Sequence, residues 1–372
     1  MDGRQGFAGG RRALSLRCVI GFMIACAPVP LSAQESFAEF ETFLEEYRQQ
    51  ANIPSLSVVV LSDGVISWEG YFGTSDDERD FPTTADTTYS IASVTKPIAA
   101  TAIIAESLAG GFSLDLPMAG DSGWAGLCEY FTTQTSIPFM AGGTDVDGNA
   151  IAPMQCGKPT TLGQMLDMRA NGEEFVYNPI AFARIDRAIE AAGGRALRAI
   201  VRDRVVEPAG MRNVALGWRD PEEGDALRFL APPHHVEGDR IAKQALSDDD
   251  FRASAGMMAS PRAIAAFDQA LDAGALLPRS HLRGLIEAEV GPLGDYRQGW
   301  WLEDWQGQRL IWHSGKDDER YSAVYLKVPR RRLTLIVLAN AETLWGPTST
   351  VKAEVSDAPV AAKFLELFVE PD

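Results

Sequence analysis

Strand-forming sequence is confined to the two ends of this 372-residue chain, and helical periodicity fills the middle. Near the N-terminus, LSVVVLSDGVISWEGYFG (residues 56–73) is two β-rich runs around Ser62-Asp63-Gly64, a hairpin pattern with its own turn chemistry. Near the C-terminus, YRQGWWLEDW, QRLIWHSG, YSAVYLKVP and RLTLIVLAN are four β runs with short turns, which reads as a meander. Helical spacing marks residues 36–53, where Phe37, Phe40, Phe43, Leu44 and Tyr47 recur on one face, and 360–370 at the other end. In the middle it marks 94–108, 160–170, 181–211 and 260–277, the last with Ser260 as N-cap and Pro261 at the first helical position. Strands segregated from helices predict the α+β class. The expected architecture is an antiparallel sheet flanked by N- and C-terminal helices, the hairpin joining the meander, with a mostly helical subdomain inserted. The sheet subdomain should take residues 34–92 and 290–372, and the helical one 93–289.

The first 33 residues read as an export signal. Arg4, Arg11, Arg12 and Arg17 precede an apolar run, CVIGFMIACAPVPL (18–31), and LSA before Gln34 is a small-residue cleavage site. The run is short for a membrane span and carries Pro28 and Pro30. MIAC up to Cys26 loosely matches a lipoprotein box, and Arg11-Arg12 a twin-arginine signal; soluble export, periplasmic or secreted, is the preferred reading. The mature chain then has no integral membrane segment. The full chain's formal net charge of −17 disfavours nucleic acid and anionic membranes as partners.

Two of the four cysteines lie in the leader, leaving Cys128 and Cys156. In an oxidising compartment they suggest one disulfide; two free buried thiols is the other reading. They bracket much of a turn-rich stretch, 112–159, which reads as a long loop or insertion, and such a loop needs a staple or a job. Residues 220–250, acidic and without periodicity, read as surface loop.

The chemistry centres on YSIASVTKPIAATAII (89–104), where Ser93 stands three residues before Lys96. On a helix the two share a face. Desolvation and the positive helix N-terminus would both disfavour the ammonium, leaving an amine able to take the hydroxyl proton. Pro97 belongs in a helix's first turn, which puts Ser93 at the helix start with its backbone N–H free for an oxyanion. A serine N-cap followed by a solvated lysine is the alternative. No G-x-S-x-G elbow, H-E-x-x-H site or P-loop occurs, and a covalent serine–lysine mechanism needs no metal or organic cofactor.

The stretch TTADTTYSIASVTKPIAATAIIAESLAGGFSLDLP (83–117) resembles the nucleophile region of serine β-lactamase-like hydrolases: class C β-lactamases, D-aminopeptidases and related esterases. PTTLGQMLDMRANGEEFVY, VEPAGMRN, SAGMMASPRAIAAF and WHSG, followed by YSAVYLKVPRRRLTLIVLAN, resemble the family's later motifs in order. The resemblance implies Ser93 as nucleophile, Lys96 as base and Tyr177 as proton relay. It implies backbone N–H groups of Ser93 and Lys316 as oxyanion donors. His313, Ser314 and Gly315 form the third motif, with His313 donating to the intermediate or to Tyr177, and Gly315 letting the substrate backbone approach. A phenol beside a lysine is expected to ionise more easily. The chain departs from the pattern twice. Pro179 stands where the Tyr-x-Asn asparagine would be, Asn178 coming one residue early. The turn KDDERY (316–321) replaces a glycine-rich one, and its Asp317, Asp318, Lys316 and Arg320 are expected to narrow or polarise the cleft mouth. The implied activity is hydrolysis of an ester or small amide through an acyl-enzyme, with β-lactams and D-amino-acid peptides behind. A non-catalytic or regulatory penicillin-binding-like protein is the alternative.

Overall fold

The computed structural model describes residues 31–372 apart from 77, 79, 119–122, 145–149, 173–174, 221–224, 248–249, 292–293 and 371–372. The leader read over residues 1–33 lies outside the described residues up to residue 30.

Eight strands form one antiparallel sheet. In chain order they are β1 (Ser55–Ser62), β2 (Val65–Asp76), β3 (Phe81–Pro82), β4 (Asp295–Arg297), β5 (Trp300–Trp305), β6 (Gln308–Asp317), β7 (Tyr321–Val328) and β8 (Leu333–Ala339). Their spatial order is β4-β5-β6-β7-β8-β1-β2-β3, so the N-terminal hairpin joins the C-terminal meander through the β8–β1 pair. The hairpin turn places Asp63 at φ 54° and Gly64 at φ 75°, the left-handed pair that a two-residue turn between twisted strands requires. The first C-terminal run is not one strand. A second left-handed pair, Gln298 and Gly299, folds it into β4 and β5.

The near-continuous burial of β1, β7 and β8 reflects their central position, covered on both faces. One face is covered by α1 (Leu31–Gln50) and the C-terminal helix. Phe37 stacks on Trp68 of β2, and Phe40 meets Phe368 edge-on. The other face carries the inserted segment, including α2 (Thr95–Leu108) and α3 (Pro261–Ala273). The C-terminal helix, Pro359–Phe368, is α4. As the sequence predicts, Ser260 caps α3, its hydroxyl accepting from the Ala263 N–H at 3.2 Å. Helix α2 is buried nearly all round, the mark of a central helix.

Two stretches hold more structure than their sequence suggests. The turn-rich 112–159 contains helices Trp124–Thr132 and Pro138–Ala141 and a short hairpin, closed by the Cys128–Cys156 disulfide. The 220–250 loop contains a hairpin, His234–Glu237 with Arg240–Lys243. Both strands are short and polar, so the period-2 signal has nothing apolar to register on. Among the described residues no helix is long and apolar enough to cross a membrane.

Between α3 and the sheet lies a buried charge network. Lys327 of β7 is paired with Asp268 of α3 and, at 2.9 Å, with Asp272. Asp268 also accepts from Tyr325 at 2.7 Å and Thr334 at 3.1 Å. Removing one partner strands the rest in low dielectric. Lys327→Met should therefore cost about 3–5 kcal/mol in urea unfolding, and the double variant Lys327→Met/Asp268→Asn should recover part of that loss. A double variant that costs the sum of the two single costs would show the network to be uncoupled.

Candidate active site

The chain is brought to Ser93 by the sheet itself. Tyr89, fully buried, shares hydrogen bonds with the hydroxyls of Ser55 (2.6 Å) and Ser57 (2.8 Å) on one face of β1. The Ile91 N–H then donates to Met257 O, and a tight turn follows at Ala92–Val94 before α2 begins at Thr95. Ala92 holds φ 45°, a left-handed conformation that costs a non-glycine residue about 1–3 kcal/mol and persists only where the surroundings enforce it. Ser93 thus stands in the single turn that opens the helix, where N–H groups lack intrahelical partners.

Lys96 is fully buried, and its Nζ donates to Ser93 Oγ at 2.7 Å and to the Ser254 carbonyl at 2.9 Å. No described carboxylate pairs with it, so desolvation acts unopposed and lowers its pKa to about 7. A solvated lysine after a serine cap is not what the chain forms. The amine is half deprotonated near neutrality and sits against the hydroxyl.

Tyr177 completes the cluster. Its hydroxyl is hydrogen-bonded with Ser93, and Lys96 Nζ lies 5.4 Å from its ring centroid. The expected easing of its ionisation is overturned: burial raises its pKa to about 12, more than the Ser93 hydrogen bond lowers it. The group is a phenol, not a phenolate. Its ring stacks on Trp301 at 5.6 Å and meets Phe139 and Tyr296 edge-on at 6.2 and 6.1 Å. Phe175, at the rim, packs against Tyr296 and Trp301.

The residue after Tyr177 turns away. Asn178 caps the short helix that Pro179 opens, accepting from the Ala181 N–H at 2.9 Å. Its amide donates to Phe139 O at 2.8 Å beside the sulfurs of Met140 and Met154. Phe139 lies inside the loop that the disulfide closes, so the stapled insertion buttresses Tyr177.

Strand β6 forms the opposite wall. Its pairing with β5 ends at Trp312, so residues 313–317 have β7 on one side and the Ser93 turn near the other. Gly315 is needed for the chain's own close approach: a Cβ there would lie 2.5 Å from the Ile91 carbonyl oxygen. The Ser314 hydroxyl donates to Thr350 O at 2.6 Å, away from this edge. His313 is fully buried with both ring nitrogens engaged, Nδ1 with Ser314 O at 2.7 Å and Nε2 with the Tyr296 hydroxyl at 2.9 Å. It therefore has no nitrogen left for Tyr177 or an intermediate, which corrects the donor role expected of it.

In the turn after β6 the four charges pair among themselves, Lys316 with Asp318 at 3.5 Å and Arg320 with Asp317 at 3.6 Å. Arg320 also donates to the Ala245 carbonyl at 2.9 Å, tying the turn to the neighbouring loop.

The structure thus brings Ser93, Lys96 and Tyr177 into one cluster beside β6. Sequence reasoning missed Ser254 and Tyr296. Ser254 contributes a backbone carbonyl, for which no residue type is a signal. Tyr296 opens the run YRQGWW and reads there as one more alternating strand residue.

Solved structures share this fold. EstCE1, described as a hydrolase with promiscuous acyltransferase activity, is 15% identical with a TM-score of 0.64 over 89% of this chain and 99% of its own. A class C beta-lactamase mutant is 16% identical with a TM-score of 0.64, covering 91% and 99%. The D-amino acid amidase from Ochrobactrum anthropi SV3 is 16% identical with a TM-score of 0.58, covering 90% and 98%. No curated protein matches the chain. The beta-lactamase family model spans residues 40–349, most of the chain, and the protein is accordingly a member of the beta-lactamase family of hydrolases.

Proposed function

We propose that the protein is an exported serine hydrolase that acts through an acyl-enzyme on esters or small amides. The observation that carries this reading is a buried amine with no counter-ion among the described residues, 2.7 Å from a serine hydroxyl at a helix start. Lys96 takes the Ser93 proton as Oγ attacks the acyl carbon; the Tyr177 phenol gives its proton to the leaving group as that group's bond to the acyl carbon breaks, and the proton held by Lys96 restores the phenol. The backbone N–H groups of Ser93 and Lys316 hold the oxyanion. Water then cleaves the acyl-enzyme, with the same groups handling its proton. Asn178 is committed to Phe139, and Pro179 has no side-chain donor, which supports esters ahead of β-lactams and D-amino-acid peptides. The disulfide and the leader together support export to an oxidising compartment.

A fluorophosphonate should add one covalent mass to the wild type and none to Ser93→Ala. If the two behave alike, the non-catalytic, penicillin-binding-like reading takes over. On a panel of p-nitrophenyl esters, D-amino-acid amides and nitrocefin, esters should turn over fastest.

The base must be neutral to act, so kcat/KM should rise with pH through an inflection near 7. Lys96→Met should lower it by at least about 100-fold. The same variant should be more stable at neutral pH, since the wild type buries an amine that prefers water. Linkage sets the window. Between 7 and 10.5 the unfolded lysine holds a proton that the folded one has lost, so this group's contribution rises with pH. The stability gap between variant and wild type should be full below about 7 and close towards 10.5. A gap that does not vary with pH would show the amine to be solvated.

A further inference from the structure

His313 sits between a carbonyl and a phenol, and this fixes where its proton is. Ser314 O, 2.7 Å from Nδ1, can only accept, so Nδ1 carries the hydrogen. Burial, and then the nearby Lys96 charge, push the imidazole well below its ordinary pKa, so it is neutral and Nε2 is bare. The Tyr296 hydroxyl, 2.9 Å from Nε2, must therefore donate. Burial holds that phenol well above its ordinary pKa, so it stays a donor. Tyr296 and His313 are both fully buried, leaving no water to replace either partner. The Tyr296 ring is wedged edge-on against Trp301 at 5.1 Å and His313 at 5.7 Å.

We propose that Tyr296 is a positioning residue of this site: its hydroxyl donates to Nε2 of His313 and locks the imidazole as a neutral Nδ1–H wall beside Lys96 and Tyr177. The proposal rests on the hydrolase reading above and assigns a part to a residue outside the serine–lysine–tyrosine set. Donation to Nε2 stabilises the neutral ring, whereas an imidazolium would repel the Lys96 ammonium and add a second titration to the site. The other ionisable groups facing this pair are Tyr177, held as a phenol, and Asp167, whose carboxylate accepts from the Gln298 N–H at 2.8 Å and acts on Tyr296. With His313 locked, Lys96 is the group left to titrate near neutrality.

Tyr296→Phe removes one oxygen and keeps the ring. The chain has four histidines, so their ring nitrogens can be assigned by 15N NMR. In the wild type at pH 7, His313 should show a protonated Nδ1 and a bare, hydrogen-bonded Nε2. In Tyr296→Phe the Nε2 resonance should move to its free position, and the His313 titration should rise by about one pH unit. The acid limb of ester hydrolysis should shift upward or split, with kcat falling about tenfold at little change in KM. A proton on Nε2 in the wild type overturns the proposal, as does a variant whose His313 nitrogens and pH profile superimpose on the wild type. The NMR arm needs no turnover. Failure of Ser93 to label would sink the hydrolase reading while the tautomer still decides the part given to Tyr296.

Discussion

A lysine amine held in the dry interior with only a hydroxyl and a peptide carbonyl for company is the constraint around which this molecule is arranged. Water would solvate Lys96 far better than Ser93 Oγ and Ser254 O do, so the fold must close over it from every side. It does so with segments far apart in sequence: the strained turn at Ala92, the 254–257 segment and the rings of Tyr177 and Phe182. A second buried lysine, Lys327, shows the opposite solution. Two carboxylates surround it and raise its pKa, and it serves the packing of α3 on the sheet. One residue type becomes a strut or a candidate base according to whether the fold supplies an anion.

Much of this could be read from the residues. The segregation of strands to the two ends specified an antiparallel sheet with the hairpin joined to the meander, because apolar runs such as VVVL and LTLIVLA are legible whatever covers them. Pro97 marked the helix start, and the cysteine pair marked the staple. What escaped was of two kinds. Short polar strands such as His234–Glu237 carry no apolar period. Contacts made by the backbone, such as Ser254 O on Lys96 and Ile91 O against Gly315, are independent of residue type until the chain is folded.

The electrostatic state of the site was the least legible part. Sequence pairs Tyr177 with a lysine and suggests a readily ionised phenol; burial among Trp301, Phe139 and Tyr296 reverses the sign. It offers His313 as a donor; the fold uses both its nitrogens internally. In the first case the deciding quantity is desolvation and in the second the hydrogen-bond partners the fold supplies, and both are properties of everything nearby.

The turn at Gly299 has a consequence for how such a site can diverge. A Cβ there would lie 2.8 Å from the carbonyl oxygen of Lys96 itself, just as one at Gly315 would strike the carbonyl of Ile91. At these two points the segment around Ser93 and the sheet touch backbone to backbone. Rings such as Phe139 and Phe175 meet the cluster through their side chains. A side chain at either glycine would force the two backbones of this seam apart, a displacement that an exchanged ring does not demand.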